Sequence, residues 1–181
     1  MIMNALRALA TTAAGVWLGG MILIAIVAAT TFSEMRQTGV EHPNAVAGQV
    51  MAKNFSRFDK LQMVCAAVLL VWQTAQLVVG RRRLGDWLRT AMILSAVGLL
   101  IYSAWVLTPR ILDLQTAVAS ANPDAAVKAV FDEFHRTAVR VSKINLLLLA
   151  AIVLSLAWRP LRGKPAGEGL RRTQEIGGSA T

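Results

Sequence analysis

The apolar positions of this chain gather into four blocks, roughly 8–32, 61–79, 88–108 and 139–158, and most charged residues lie between them. Each block comes near the roughly 20 apolar residues that a helix needs to cross a hydrocarbon core of about 30 Å. A membrane β-barrel would show short strands of alternating polarity instead, and no such alternation is present. The pattern predicts an all-α membrane protein, a four-transmembrane-helix bundle occupying 1–159. Residues 160–181 carry Pro160, Pro165 and several glycines without an apolar period, which predicts a disordered cytoplasmic tail.

Two of the blocks have amphipathic approaches. The stretch FDEFHRTAVRVSKINLLLLAAIVLSLAW, Phe131 to Trp158, opens with charged residues and closes in an apolar run. Asn122-Pro123-Asp124 before it combines a capping residue, a proline suited to the first helical position and an acid in the first turn. Val127, Val130, Phe131, Phe134, Ala138 and Val141 recur at helical spacing. A helix from Pro123 to Trp158 would be about 54 Å long, more than the bilayer core. Its first turns are therefore expected to project, with Arg140 and Lys143 snorkelling toward water. Likewise His42-Pro43-Asn44 precedes a proline-free run to Val79, with Met51, Phe55, Phe58 and Gln62 on one face. Helices 2 and 4 are thus expected to be long and to extend beyond the bilayer. Pro43 and Pro123 stand eighty positions apart, consistent with two hairpins of one topology. Pro109 is expected to bend the third span, with a short amphipathic helix over 111–121 beyond it.

Composition agrees: 55 % of residues are hydrophobic and the mean hydropathy is +0.52, too apolar for an ordinary soluble domain. The net charge of +9 does not imply nucleic acid. Aromatic residues do not interleave with the basic ones as a stacking surface requires, and basic residues in a membrane protein report orientation and headgroup contact. Arg81, Arg82, Arg83 and Arg89 crowd one short loop between spans, which predicts a multi-pass protein of the bacterial inner membrane with both termini cytoplasmic. The first block is longer than the apolar core of a signal peptide, so it is read as a span. The single cysteine, Cys65, lies within a span and forms no intrachain disulfide.

Candidate chemistry is sparse. Gly15 and Gly19 form a small-xxx-small pair suited to close helix packing. Gln62, Gln73 and Gln76 share one face of the second helix, where they would bond between helices or line a polar path, and Asn145 could meet the same layer. His135 and His42, with Met51, Met35 and Met63, are the residues that could take copper or haem iron, and Asp132 could orient His135. No cluster of metal-ligand spacing supports such a site, and no cofactor is expected. Hydrolase, phosphate-loop, zinc-protease and dithiol motifs are lacking. Asp59 and Asp132-Glu133 read as interfacial ion-pair partners, and the chain is expected not to be an enzyme.

Several of these residues fall in a family-like order. Trp17-Leu18-Gly19-Gly20 is followed by Ala47-Gly48-Gln49-Val50 leading into Phe55 and Phe58; then come Trp105-Val106-Leu107-Thr108-Pro109-Arg110 and Phe131-x-x-x-His135 with Ser142 and Asn145. This order resembles the transmembrane-protein-205-like family, four-span proteins classed as a domain of unknown function. The resemblance spans about Ala8 to Trp158 and implies a four-helix membrane protein without established catalysis. One departure concerns the positions three and seven after the histidine. The family would place serine and asparagine there, and this chain has Ala138 and Ser142.

Three functions follow as expectations. The first is a non-enzymatic membrane protein whose projecting helices contact a membrane-protein partner or a second copy of the chain. The second is a membrane protein that handles a small solute or a metal ion. The third is a haem or copper redox protein. The lipid bilayer is the one partner common to all.

Overall fold

The computed structural model describes residues 2–39, 43–79, 84–118 and 124–157, all of it helical apart from short turns. Helix α1 covers Ile2–Gln37, α2 Pro43–Val79 and α3 Leu84–Tyr102. A π-turn, Ser103–Leu107, joins α3 directly to α4, Thr108–Val118, and α5 covers Ala125–Ala157. Four segments are long and apolar enough to cross a membrane, with α3, the π-turn and most of α4 counting as one.

Local chemistry accounts for the ends. After α1, Gly39 takes a φ of +67°, the left-handed conformation that stops helices at glycine. Pro43 opens α2, where its missing N–H costs nothing. Asp124 caps α5: its Oδ1 accepts from the Ala126 N–H at 2.9 Å, and its carbonyl accepts from Lys128 N–H at 3.0 Å. Asn122 and Pro123, expected to open this helix, lie outside the described residues, as do His42, the three arginines 81–83 and the tail.

Pro109 neither ends nor sharply breaks the third span. A proline there has no N–H for the Trp105 carbonyl, and its ring would collide with that carbonyl in a regular helix. The chain widens the preceding turn instead: Thr108 N–H donates to Ser103 O, five residues back. The helix then continues through Pro109 into α4.

The first helix, at 36 residues, matches the 37 of α2 and exceeds the 33 of α5. Length therefore does not set helices 2 and 4 apart, because the amphipathic segment 33–37 extends α1 as well. Successive spans run antiparallel. Trp17 meets Gln62, Gln73 meets Thr90, Arg89 meets Ser155 and Arg7 meets Leu156.

A core of buried side chains fills one half of the bundle. It is made by Ala10, Ala13, Ala14 and Trp17 of α1; Cys65, Ala66, Leu69 and Trp72 of α2; Ile93, Ala96 and Leu100 of α3; and Leu149, Ile152 and Leu156 of α5. At this end the carbonyls of the last α5 turn accept from arginines: Arg7 Nη2 on Leu156 O and Arg89 Nη2 on Ser155 O at 3.3 Å. Cations there also complement the helix dipole. Arg89 lies 5.4 Å over the Trp72 ring and pairs with Asp86 at 3.5 Å.

Candidate ligand cleft

In the other half the helices enclose space. A cleft of about 1150 Å³ lies among the second half of α1, the first half of α2, the π-turn with α4, and the first half of α5. Its α1 wall combines the small residues Ala25, Ala28 and Ala29 with Met21, Ile24 and Phe32, and ends in the polar Ser33, Arg36 and Gln37. On α2 the lining follows one helical face: Gly48, Met51, Ala52, Phe55, Phe58, Asp59 and Gln62. On α5 it follows another: Phe131, His135, Ala138, Ser142 and Asn145. The apolar stripe read on α2 lines the cleft throughout, whereas on α5 Phe131, Ala138 and Val141 line it and Val127, Val130 and Phe134 do not.

Two close approaches define the walls. Any Cβ at Gly20 would collide with the Phe58 ring, and any Cβ at Gly48 would collide with the Gln115 amide. Glycine at 48 is what lets α4 lay Gln115 against α2. Leu107, buried in the π-turn, and Met51 are both nearly sealed from solvent.

The floor is polar. Trp17 Nε1 donates to Gln62 Oε1 at 2.7 Å, and Gln62 Nε2 donates to Asp59 Oδ1 at 3.3 Å. Asn145 is only 4 % exposed, and its Oδ1 has no donor among the described residues. A buried acceptor left without a donor costs about 1–3 kcal/mol, so this atom is the most conspicuous polar feature of the cleft.

The residues anticipated from sequence separate into groups. Gln62 and Gln73 share a face of α2 but not a layer, and the buried Cys65, Ala66, Leu69 and Trp72 lie between them. Gln73 Nε2 donates to Thr90 Oγ1 at 2.6 Å and to Asp86 O at 3.1 Å, tying α2 to α3. Gln76 is only half-buried. These glutamines therefore form two interhelical ties and not one continuous polar path. Asn145 does share the cleft with Gln62.

Gly15 and Gly19 do not pack helices together within the chain: both are exposed, and nothing lies within 4 Å of a Cβ built at either. At 100° per residue they face away from Ala10, Ala13, Ala14 and Trp17. The close approach on α1 is at Gly20.

His135 and Met51 both line the cleft, whereas His42 lies outside the described residues. His135 stacks on Phe131, ring centroids 6.0 Å apart at 12°, while the Asp132 carbonyl accepts from Arg136 Nε. Among the described residues no group of three or more His, Cys, Asp or Glu is placed to hold a metal ion. Asp59 is not the interfacial ion-pair partner anticipated: its partner is the Gln62 amide, and no described cation pairs with it. Its position three residues before Gln62 on an amphipathic face was the signal available in sequence.

Residues of all the family-like motifs reach this region. Gly20, Gly48, Phe55, Phe58, Phe131, His135, Ser142 and Asn145 line or abut the cleft, and the Trp105–Arg110 motif contains the end of the π-turn and Pro109. A family model described as a domain of unknown function (DUF4149) matches residues 12–120. No curated protein and no solved structure is significantly similar to the chain.

Proposed function

The chain belongs to the DUF4149 family, a domain of unknown function, and we propose that it is a non-enzymatic membrane protein that admits a small, largely apolar solute into the cleft. The observation that carries this reading is a 1150 Å³ space with apolar walls and a buried, donorless Asn145 on its floor. Ligand sites have this character, mostly apolar with a few placed polar groups. Polar groups inside a membrane bundle are expensive and mark function by default.

The alternative, outward helix extensions serving a protein partner, draws less support, because the α2 stripe and half of the α5 stripe are spent on the cleft. The likeness to transmembrane-protein-205-like proteins supports a solute role only in that its motif residues converge there. For orientation, Arg7 and Arg89 stand at the packed end, and Arg81, Arg82 and Arg83 precede α3 in sequence, which favours that end as cytoplasmic in an inner membrane. The cleft then opens toward the outer side, with the first turns of α2 and α5 projecting there.

Photolabelling tests the reading. A neutral alkyl diazirine added to vesicles containing the protein should label Ile24, Phe58 or Leu99, which line the cleft, and Ala28→Trp should abolish that labelling. Labelling confined to Leu23, Leu94 and Leu154, which are exposed on the outside of the bundle, would contradict it.

A further inference from the structure

Resting on the reading of the cleft as a solute site, we infer that its solute is an amphiphilic organic ammonium compound, held by Asp59 and Asn145. The deep polar groups have one chemical character. Asn145 Oδ1 is a buried acceptor that no donor among the described residues reaches. The Asp59 carboxylate, half-buried in the α2 wall, receives a single N–H from Gln62 at 3.3 Å, although a carboxylate has about four acceptor positions. No described cation neutralises it. An unpaired charge in such a setting is costly, and a bound cation offsets that cost.

A ligand that brings both donors and positive charge satisfies both groups together. A neutral alcohol has one donor for the two acceptors and leaves the Asp59 charge uncompensated. A carboxylate or phosphate would place like charge beside Asp59. The neighbouring walls suit an ammonium group as well: Phe55, one turn before Asp59, and Phe58, the residue next to it, also line the cleft, where aromatic rings attract cations. The apolar body of the ligand would lie along Met21, Ile24 and Leu99. Basic residues do line the cleft, namely Arg36, Lys128 and Lys143, but all three are exposed, where solvent screens them.

Three ligands with one tail separate the possibilities: decylammonium, decanol and decanoate, titrated onto the full chain in a non-ionic detergent, with binding read by calorimetry. Decylammonium should bind about tenfold or more tightly than decanol, as a hydrogen bond to a charged group implies, and decanoate should bind weakest. Asp59→Asn keeps an oxygen for Gln62. It should remove the decylammonium advantage while leaving decanol affinity within about twofold, which also shows that the variant is folded. Equal binding of all three ligands, or preference for decanoate, would overturn the ammonium assignment and leave the cleft reading standing. No binding of any of them would overturn both. In nanodiscs, suppression of decylammonium binding by phosphatidylethanolamine would support the chemistry and name a lipid headgroup as its source. Unaltered binding would support a solute from the aqueous phase.

Discussion

The two halves of this bundle use similar residues to opposite ends. In the closed half, Ala10, Ala13 and Ala14 let α1 approach its neighbours so nearly that Leu69, Leu149 and Ile152 between the helices have no exposure. In the open half, Ala25, Ala28 and Ala29 occupy the same helix about three to five turns on and line the cleft. The alanines are not what differs. The third span does: it continues unbroken to Tyr102, widens into the π-turn before Pro109 and then runs as α4, packed on α5 and only lightly on α2. A small residue closes a helix interface only where a facing helix arrives. Without one, it makes a cavity wall.

That comparison can be broken or sharpened by substitution. The largest effect is expected in the closed half. Leu69→Ala or Leu149→Ala removes a fully buried side chain and should cost about 2–5 kcal/mol, read as a fall in unfolding free energy in mixed micelles. Leu99→Ala at the half-buried cleft margin should cost clearly less than either.

Next comes the polar boundary between the halves. Trp17→Phe leaves Gln62 Oε1 without its indole donor, and the loss should be about 1–3 kcal/mol by the same measurement. On the cleft floor the sign should reverse. Asn145→Leu removes an acceptor that no described residue satisfies, so stability should hold or rise by about 1 kcal/mol while solute binding falls. A residue whose replacement stabilises the fold and weakens binding is a site residue and not a core residue. The smallest effect is expected at Gly15→Leu. Its side chain would enter open space outside the bundle, and the change should stay within about 0.5 kcal/mol.

How far the sequence alone reached follows from what periodicity encodes. The four apolar blocks, Pro43 as a helix start and a distortion around Pro109 were legible, because length, capping chemistry and proline sterics act locally. The face shared by Gln62, Gln73 and Gln76 was legible too. Which neighbour each residue meets was not. A helical wheel collapses the axis, so Gln62 and Gln73, eleven residues or about 16 Å apart, looked like one polar stripe. Gly15 and Gly19 looked like a packing motif because spacing records a face without saying what that face confronts. The cleft left the faintest trace, since an alanine lining a cavity and an alanine closing an interface are the same letter. Asn145 was noticed for its polarity inside an apolar run; that its oxygen lacks a donor depends on three other helices.

The central claim is that the open half admits a solute and the closed half does not. Thiol accessibility compares them within one molecule. Cys65 is buried in the closed half at 5 % exposure, and Ser103→Cys would add a second thiol on the cleft wall. Titrating the full-length variant in vesicles with a small maleimide, which needs the solvated thiolate, should modify position 103 readily and leave Cys65 unmodified until the protein is denatured. Decylammonium should slow the reaction at 103 alone. Two unreactive thiols in the folded protein, or two thiols that react at the same rate, would contradict the division of the bundle into a sealed half and a receiving one.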